Sequence, residues 1–197
     1  MGRKKKEKDG GQLSRYVNTP EAMAVFRHLY EIPNDVRLRY VHWFDVLNPP
    51  TGDLLILVVA IVAGGIRFPM APLLADFLSY FRLSPSQVNP NIFRIVMGTV
   101  ELNRRLGPEL SIHDIVRTYI LHHNTKTDAC SLRPRDVNFT LVNGLPNTNC
   151  GFDDDFLIVS GEWFLPKHKC LTRDRVPGLS CLMLFCIRVL LHGHVVI

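Results

Sequence analysis

The chain has no Cys-x2-Cys pair, no glycine-rich phosphate loop, no Asp-Thr/Ser-Gly triplet, and no arrangement of serine, histidine and aspartate that reads as a catalytic triad. Each absence removes a chemistry. A retroviral-type zinc knuckle needs Cys-x2-Cys-x4-His-x4-Cys to close four ligands around one ion. A retroviral-type protease needs Asp-Thr/Ser-Gly so that two carboxylates share a proton. Thr51-Gly52-Asp53 is that triplet reversed, and reversal does not keep the geometry. The N-terminal MGRKKKEKDGG lacks the apolar stretch of a secretory signal, so no signal peptide and a nuclear or cytoplasmic location are expected. The five cysteines, an odd number, then read as free thiols in a reducing compartment, and the sequon Asn138-Phe139-Thr140 carries no weight.

Charge is scarce except in one place. The formal net charge is +5, but residues 1–20 hold Arg3, Lys4, Lys5, Lys6, Lys8 and Arg15 against Glu7 and Asp9. The other 177 residues carry 17 basic and 16 acidic side chains, so the body is close to neutral. A protein that grips phosphates with its folded surface shows a basic face there. Here Arg3, Lys4, Lys5, Lys6 and Lys8 are the candidate nucleic-acid contacts, on a tail expected to be disordered over 1–17.

What is present is 47% hydrophobic and sufficient for a core. Thr19-Pro20 reads as a cap and first-turn proline, with Met23, Phe26, Leu29 and Tyr30 at helical spacing up to Pro33. RLRYVHWF (37–44) reads as a strand or extended arm. LLILVVAIVAGGI (54–66) is too short to span a bilayer as a helix and reads as a buried strand or core helix.

Residues 67–96, RFPMAPLLADFLSYFRLSPSQVNPNIFRIV, hold four prolines. The spacing predicts a helix from Pro69 to Phe81, with Leu74, Phe77, Leu78 and Phe81 on one face. It predicts a capping box at Ser84-Pro85-Ser86-Gln87 and a second helix capped by Asn89 and stopped at Gly107-Pro108. Ser111 to Asp114 repeats the cap pattern ahead of Ile115, Val116, Tyr119 and Ile120, with His122-His123 placed at a helix end. The prolines therefore begin and end helices, and the stretch is a joint. Beyond it, Phe139 to Val142 and Phe156 to Val159 read as two short strands of a hairpin or small sheet. Together these predict an α+β fold, mainly helical, with a small antiparallel sheet toward the C-terminal third.

These residues resemble the plant domain family called gypsy-type transposon, also described as transposase-like. The likeness rests on Phe68-Pro69, on Leu83, Pro85, Gln87, Pro90 and Asn91, and on the helix that follows. It continues in a Gly-Leu-Pro turn before a strand ending in Gly161 and Trp163. It covers roughly residues 15–166, giving a domain over 18–166 after the 1–17 tail. The resemblance implies a plant transposable-element origin, and it brings no catalytic residue or cofactor to carry across. Residues 167–197, apolar and holding Cys170, Cys181 and Cys186, depart from it and read as an atypical tail.

Other chemistry is weighed against plainer readings. The Gly151-Phe152-Asp153-Asp154-Asp155 run has the aromatic-x-Asp-Asp pattern of a reverse transcriptase, without the palm or the distant aspartate that two metals need. Glu101, Asp114, Asp128, Asp136 and Glu162 can be arranged as a transposase triad only on paper. His168, Cys170, Cys181, Cys186, His192 and His194 suffice in number for zinc but sit in an apolar run. Residues 179–197 are the one candidate membrane anchor. The expectation is a non-enzymatic chain with no metal or cofactor, acting through protein–protein or self-association contacts. The alternatives are a nucleic-acid-binding module that uses the basic tail, and a decayed element copy without function.

Overall fold

The computed structural model describes residues 12–42, 53–124, 129–146 and 155–163. The Arg3–Lys8 tail and residues 167–197, with the zinc and anchor readings that fall on them, lie outside the described residues. The class is α+β. Helices α1 (Pro20–Leu29), α2 (Val58–Val62), α3 (Pro72–Phe81), α4 (Pro90–Leu106) and α5 (Ile112–Thr118) surround strands β1 (Val36–His42), β2 (Leu54–Leu57), β3 (Tyr119–Asn124), β4 (Ala129–Pro134) and β5 (Asp155–Gly161). No helix among the described residues is long and apolar enough to cross a membrane.

The main sheet has the order β1-β5-β2, antiparallel at both pairings. The C-terminal third supplies only its central strand, and both outer strands come from residues 36–57. The expected pairing of Phe156–Val159 with Phe139–Val142 does not occur. β5 reads Phe-Leu-Ile-Val with no polar alternation, which suits a strand flanked on both sides and apolar on both faces. Val36, Leu54, Ile56, Leu157 and Val159 face the main core, and Val41, Leu55 and Ile158 form a second small cluster.

The apolar run 54–62 makes both elements that its composition allows. Leu54–Leu57 extend beside β5, and the chain coils directly into α2, every residue from 54 to 61 being buried. α1 begins as expected, with the Ala22 amide donating to Thr19 Oγ1 at 3.1 Å. It ends at Leu29 rather than at Pro33, because Glu31 takes a left-handed conformation (φ 52°). Phe26 alone of that helix is buried, and Leu29 faces solvent.

α3 starts at Pro72, not at Pro69. A residue before proline is driven out of the helical region. Ala71 is accordingly extended (φ −59°, ψ 134°), so the helix cannot begin earlier. Its Leu74, Phe77, Leu78 and Phe81 are buried together as predicted. The capping box at Ser84 and Gln87 is present around one 3-10 turn, Asn89 caps α4, and Gly107 ends it at φ 69°.

α5 stops at Thr118, two residues short of the predicted run, since Tyr119 and Ile120 open the β3–β4 hairpin. His122 and His123 therefore sit opposite Ser131 and Cys130 in a strand, not at a helix end. At the other end of the chain, Leu13 and Val17 are buried and flank the 3-10 turn Ser14–Tyr16. The folded body thus takes in part of the segment that composition assigns to the tail.

Candidate functional site

Phe68, Pro69, Pro85, Gln87, Pro90, Asn91, Gly161 and Trp163 lie at or near the ends of helices and strands. The Phe68–Pro69 peptide is cis, Phe68 is buried, and the Met70 amide donates to the Trp163 carbonyl at 2.8 Å. Gly161 has φ 90°, and a β-carbon there would fall on the Asp35 carbonyl. Only glycine fits that close approach. Pro85 and Pro90 are buried at helix starts. Asn91 donates through Nδ2 to the Pro146 carbonyl at 3.0 Å, and its Oδ1 accepts from Arg94 at 2.6 Å. Arg94 also reaches the Ala63 carbonyl at 2.8 Å, and burial lowers its pKa. These contacts tie the segment before α3 to the residues just after β5, and α4 to the end of α2 and to Pro146. Their hydrogen bonds are closed within the fold, so they are architecture.

Three of the carboxylates named for a transposase, Glu101, Asp114 and Asp136, are held by near neighbours. Glu101 is clasped by Arg104 and Arg105, whose hydrogen bonds hold its carboxyl at about 2, well below the usual range. Asp114 accepts from the Ser111 amide and hydroxyl, both at 2.8 Å, which lowers its pKa. Asp136 accepts from Asn138, and the Glu162 amide donates to the Asp35 carbonyl. Asp128 lies outside the described residues. Among the described residues no three His, Cys, Asp or Glu side chains are grouped so as to hold a metal.

Asp155, the last aspartate of the acidic run, is buried. Its Oδ2 accepts from the Leu13 amide and its Oδ1 from the Tyr40 hydroxyl, both at 2.8 Å. That carboxylate ties the N-terminal turn and β1 to the first residue of β5. Asp153 and Asp154 lie outside the described residues.

Residues 135–146 follow β4 as a hydrogen-bonded loop. Sequence reading places a strand at Phe139–Val142, whereas the structure has a pinned loop. The Arg135 amide donates to the Thr118 carbonyl at 2.9 Å and its Nε to that of Val116 at 3.2 Å. Asp136 Oδ1 accepts from the Asn138 amide at 2.9 Å, and the Asp136 carbonyl accepts from the Phe139 amide at 3.1 Å. This side-chain turn competes with a strand ladder for the same donors.

Farther along, Tyr119 Oη accepts from the Leu141 and Val142 amides at 3.0 and 3.2 Å, Thr140 Oγ1 donates to Asn143 Oδ1, and Asn91 holds the Pro146 carbonyl. Between these anchors Val137 and Phe139 stand 78% and 74% exposed. Exposed Arg117, Arg133 and Arg135 flank them, with Ile120 opposite Arg133 in the hairpin. Loop residues that carry large apolar side chains into water normally relax to cover them. Here the backbone and side-chain hydrogen bonds just described hold the loop in place.

Sequence reading missed this loop because Val137, Phe139 and Leu141 alternate like a strand. The signal that identifies it is Asp136-x-Asn138, an aspartate placed to bind backbone two residues on. A second feature is an open depression of about 830 Å³ beside the C-terminal half of α1, bounded by Ala24, Leu29, Ile32, Pro33 and Glu31.

No family model, curated protein or solved structure matches the chain.

Proposed function

We propose that this chain is a non-catalytic interaction domain of transposable-element origin, and that it contacts other polypeptides through residues 135–146. The observation that carries the reading is the pair Val137 and Phe139, left bare by a loop anchored at both ends. An aromatic side chain on a rigid support gives up little conformational entropy on binding, and such residues dominate the energetics of protein interfaces. The origin rests on the ordered set Phe68-Pro69, Pro85, Gln87, Pro90-Asn91 and Gly161-x-Trp163.

A second reading, nucleic-acid binding, draws on the basic residues Arg3 to Lys8 and on Arg117, Arg133 and Arg135 beside Phe139. Basic side chains around an aromatic platform suit single strands.

One experiment separates the two. The photoreactive residue benzoylphenylalanine is placed at position 139 of the full chain, and at Leu106, the last residue of α4, as an equally exposed control (76%). Both proteins are illuminated in extract of the cells that carry the gene. The interaction reading predicts adducts at 139, absent at 106, that survive nuclease and are lost to protease. Nuclease-sensitive adducts, or none above the control, overturn it.

A further inference from the structure

The surface around α1 is the complement of the loop. Leu29 and Val25 are each 66% exposed and stand one helical turn apart, Leu29 at the rim of the depression beside Ala24, Ile32 and Pro33. The floor is fixed. Arg27 donates to the Val36 carbonyl at 2.6 Å and to the Pro33 carbonyl at 2.7 Å, so its guanidinium is spent on backbone within the groove. Glu31 lines the depression, and two further exposed carboxylates lie past its edge, Asp35 directly after the lining residue Asn34 and Glu162 joined to it by the Glu162 amide to Asp35 carbonyl bond. Neighbouring basic residues are His28 in the lining, Arg67 over the Tyr30 ring at 5.6 Å, and Arg37, which lies on the strand face opposite Val36.

The loop thus offers two apolar knobs with Arg117, Arg133 and Arg135 beside one carboxylate, Asp136, and the depression a seat of Ala24, Leu29, Ile32 and Pro33 interrupted by Arg27 and His28, with Glu31, Asp35 and Glu162 about it. We infer that the partner is a second copy of this chain, with Val137 and Phe139 of one copy seated in the groove beside α1 of the next. The inference rests on the interaction reading above and names its partner. Opposite charges around an apolar centre steer the encounter and fix its register. Both halves are held rigid by hydrogen bonds before they meet, which cuts the ordering cost of association. Because loop and groove are different surfaces, each contact runs head-to-tail, loop to groove. Two copies that exchange both contacts close as a two-fold pair, and copies that exchange only one continue into a ring or a filament.

The head-to-tail geometry supplies the test, on the full chain by sedimentation velocity. Phe139→Asp removes the knob and leaves the groove, and Leu29→Asp removes the seat and leaves the loop. Both sites are exposed, and circular dichroism verifies that each variant folds. Wild type is expected to associate with rising concentration, and more weakly as salt rises. Each variant alone should be monomeric, with its dissociation constant raised roughly 30-fold or more.

Mixed one to one, the two variants should form a heterodimer and nothing larger, since only one intact loop and one intact groove remain to meet. A wild type that stays monomeric up to its solubility limit overturns the inference. So does a mixture that stays monomeric, or single variants that still associate. Protein adducts at position 139 in cell extract alongside a monomeric wild type would leave the interaction reading standing, with a different partner.

Discussion

Val142 packs into the gap left by Gly98. A β-carbon on residue 98 would lie 2.7 Å from Val142 Cγ2. The middle of α4 is thereby the socket for the loop's distal end, and the glycine is explained by what rests on it rather than by the helix.

Gly98→Ala sets two effects against each other. Alanine in a helix gains up to about 1 kcal/mol over glycine. Val142 is β-branched and cannot swing clear, so the loop must lift. We expect little net change in melting temperature but faster proteolysis between Val137 and Leu141. A variant more stable than wild type with an unaltered cleavage rate contradicts the socket.

Tyr119→Phe keeps a buried ring and deletes the acceptor for the Leu141 and Val142 amides. Two amides then lose their partner, at a cost of roughly 1–3 kcal/mol. Urea unfolding should show a lower midpoint at unchanged slope. Self-association should weaken with it, because the knobs are no longer held in place. A midpoint equal to wild type removes Tyr119 as the anchor.

The Asp155 carboxylate joins three segments that are far apart in sequence, Leu13, Tyr40 and β5 itself. Asp155→Ala is expected to destabilise by roughly 2–4 kcal/mol, and Asp155→Asn by less, since the amide oxygen still accepts one bond. In a double-mutant cycle with Tyr40→Phe the two changes should be non-additive. Additivity would mean that the two side chains act independently.

Much of the helical half is legible locally. Thr19, Asn89, Ser84 and Ser111 are caps because a hydroxyl or amide beside a proline or apolar run has one stable local use, and the structure uses each that way. Strand partners are another matter. β5 pairs with β1 and β2, about a hundred residues upstream, and no local pattern encodes which apolar run lies beside which. The alternation Val137-x-Phe139-x-Leu141 obeys the strand rule, yet the Asp136 side chain and Tyr119 hydroxyl take the backbone donors that a ladder needs. Tyr119 is invisible as an anchor in sequence, since its role depends on contact across 22 residues. The groove is equally hidden, because Leu29 has helical spacing with Phe26 and only the end of α1 turns it outward.

Asp114 makes stability depend on pH. Its carboxyl is held below the ordinary aspartate value by the Ser111 amide and hydroxyl, so in the folded state it remains ionised to lower pH than in the unfolded chain. The stabilisation is complete above the unfolded value near 3.8 and fades as pH falls through the lower folded one. Asp114→Asn should therefore lower stability at neutral pH and flatten its fall below about pH 4, measured by urea midpoints across that range. Parallel profiles for wild type and variant would show that the cap carries no linked proton.

The account depends first on the loop being held rigid with its tip bare. Amide hydrogen exchange on the full chain reads this directly, at a concentration low enough to keep it monomeric. The amides of Asn138, Phe139, Leu141 and Val142 should exchange far more slowly than an unstructured chain, and those of Leu141 and Val142 should lose that protection in Tyr119→Phe. Exchange of all four at the unstructured rate in wild type would mean that Val137 and Phe139 are not presented, and the proposed contact surface would fail with them.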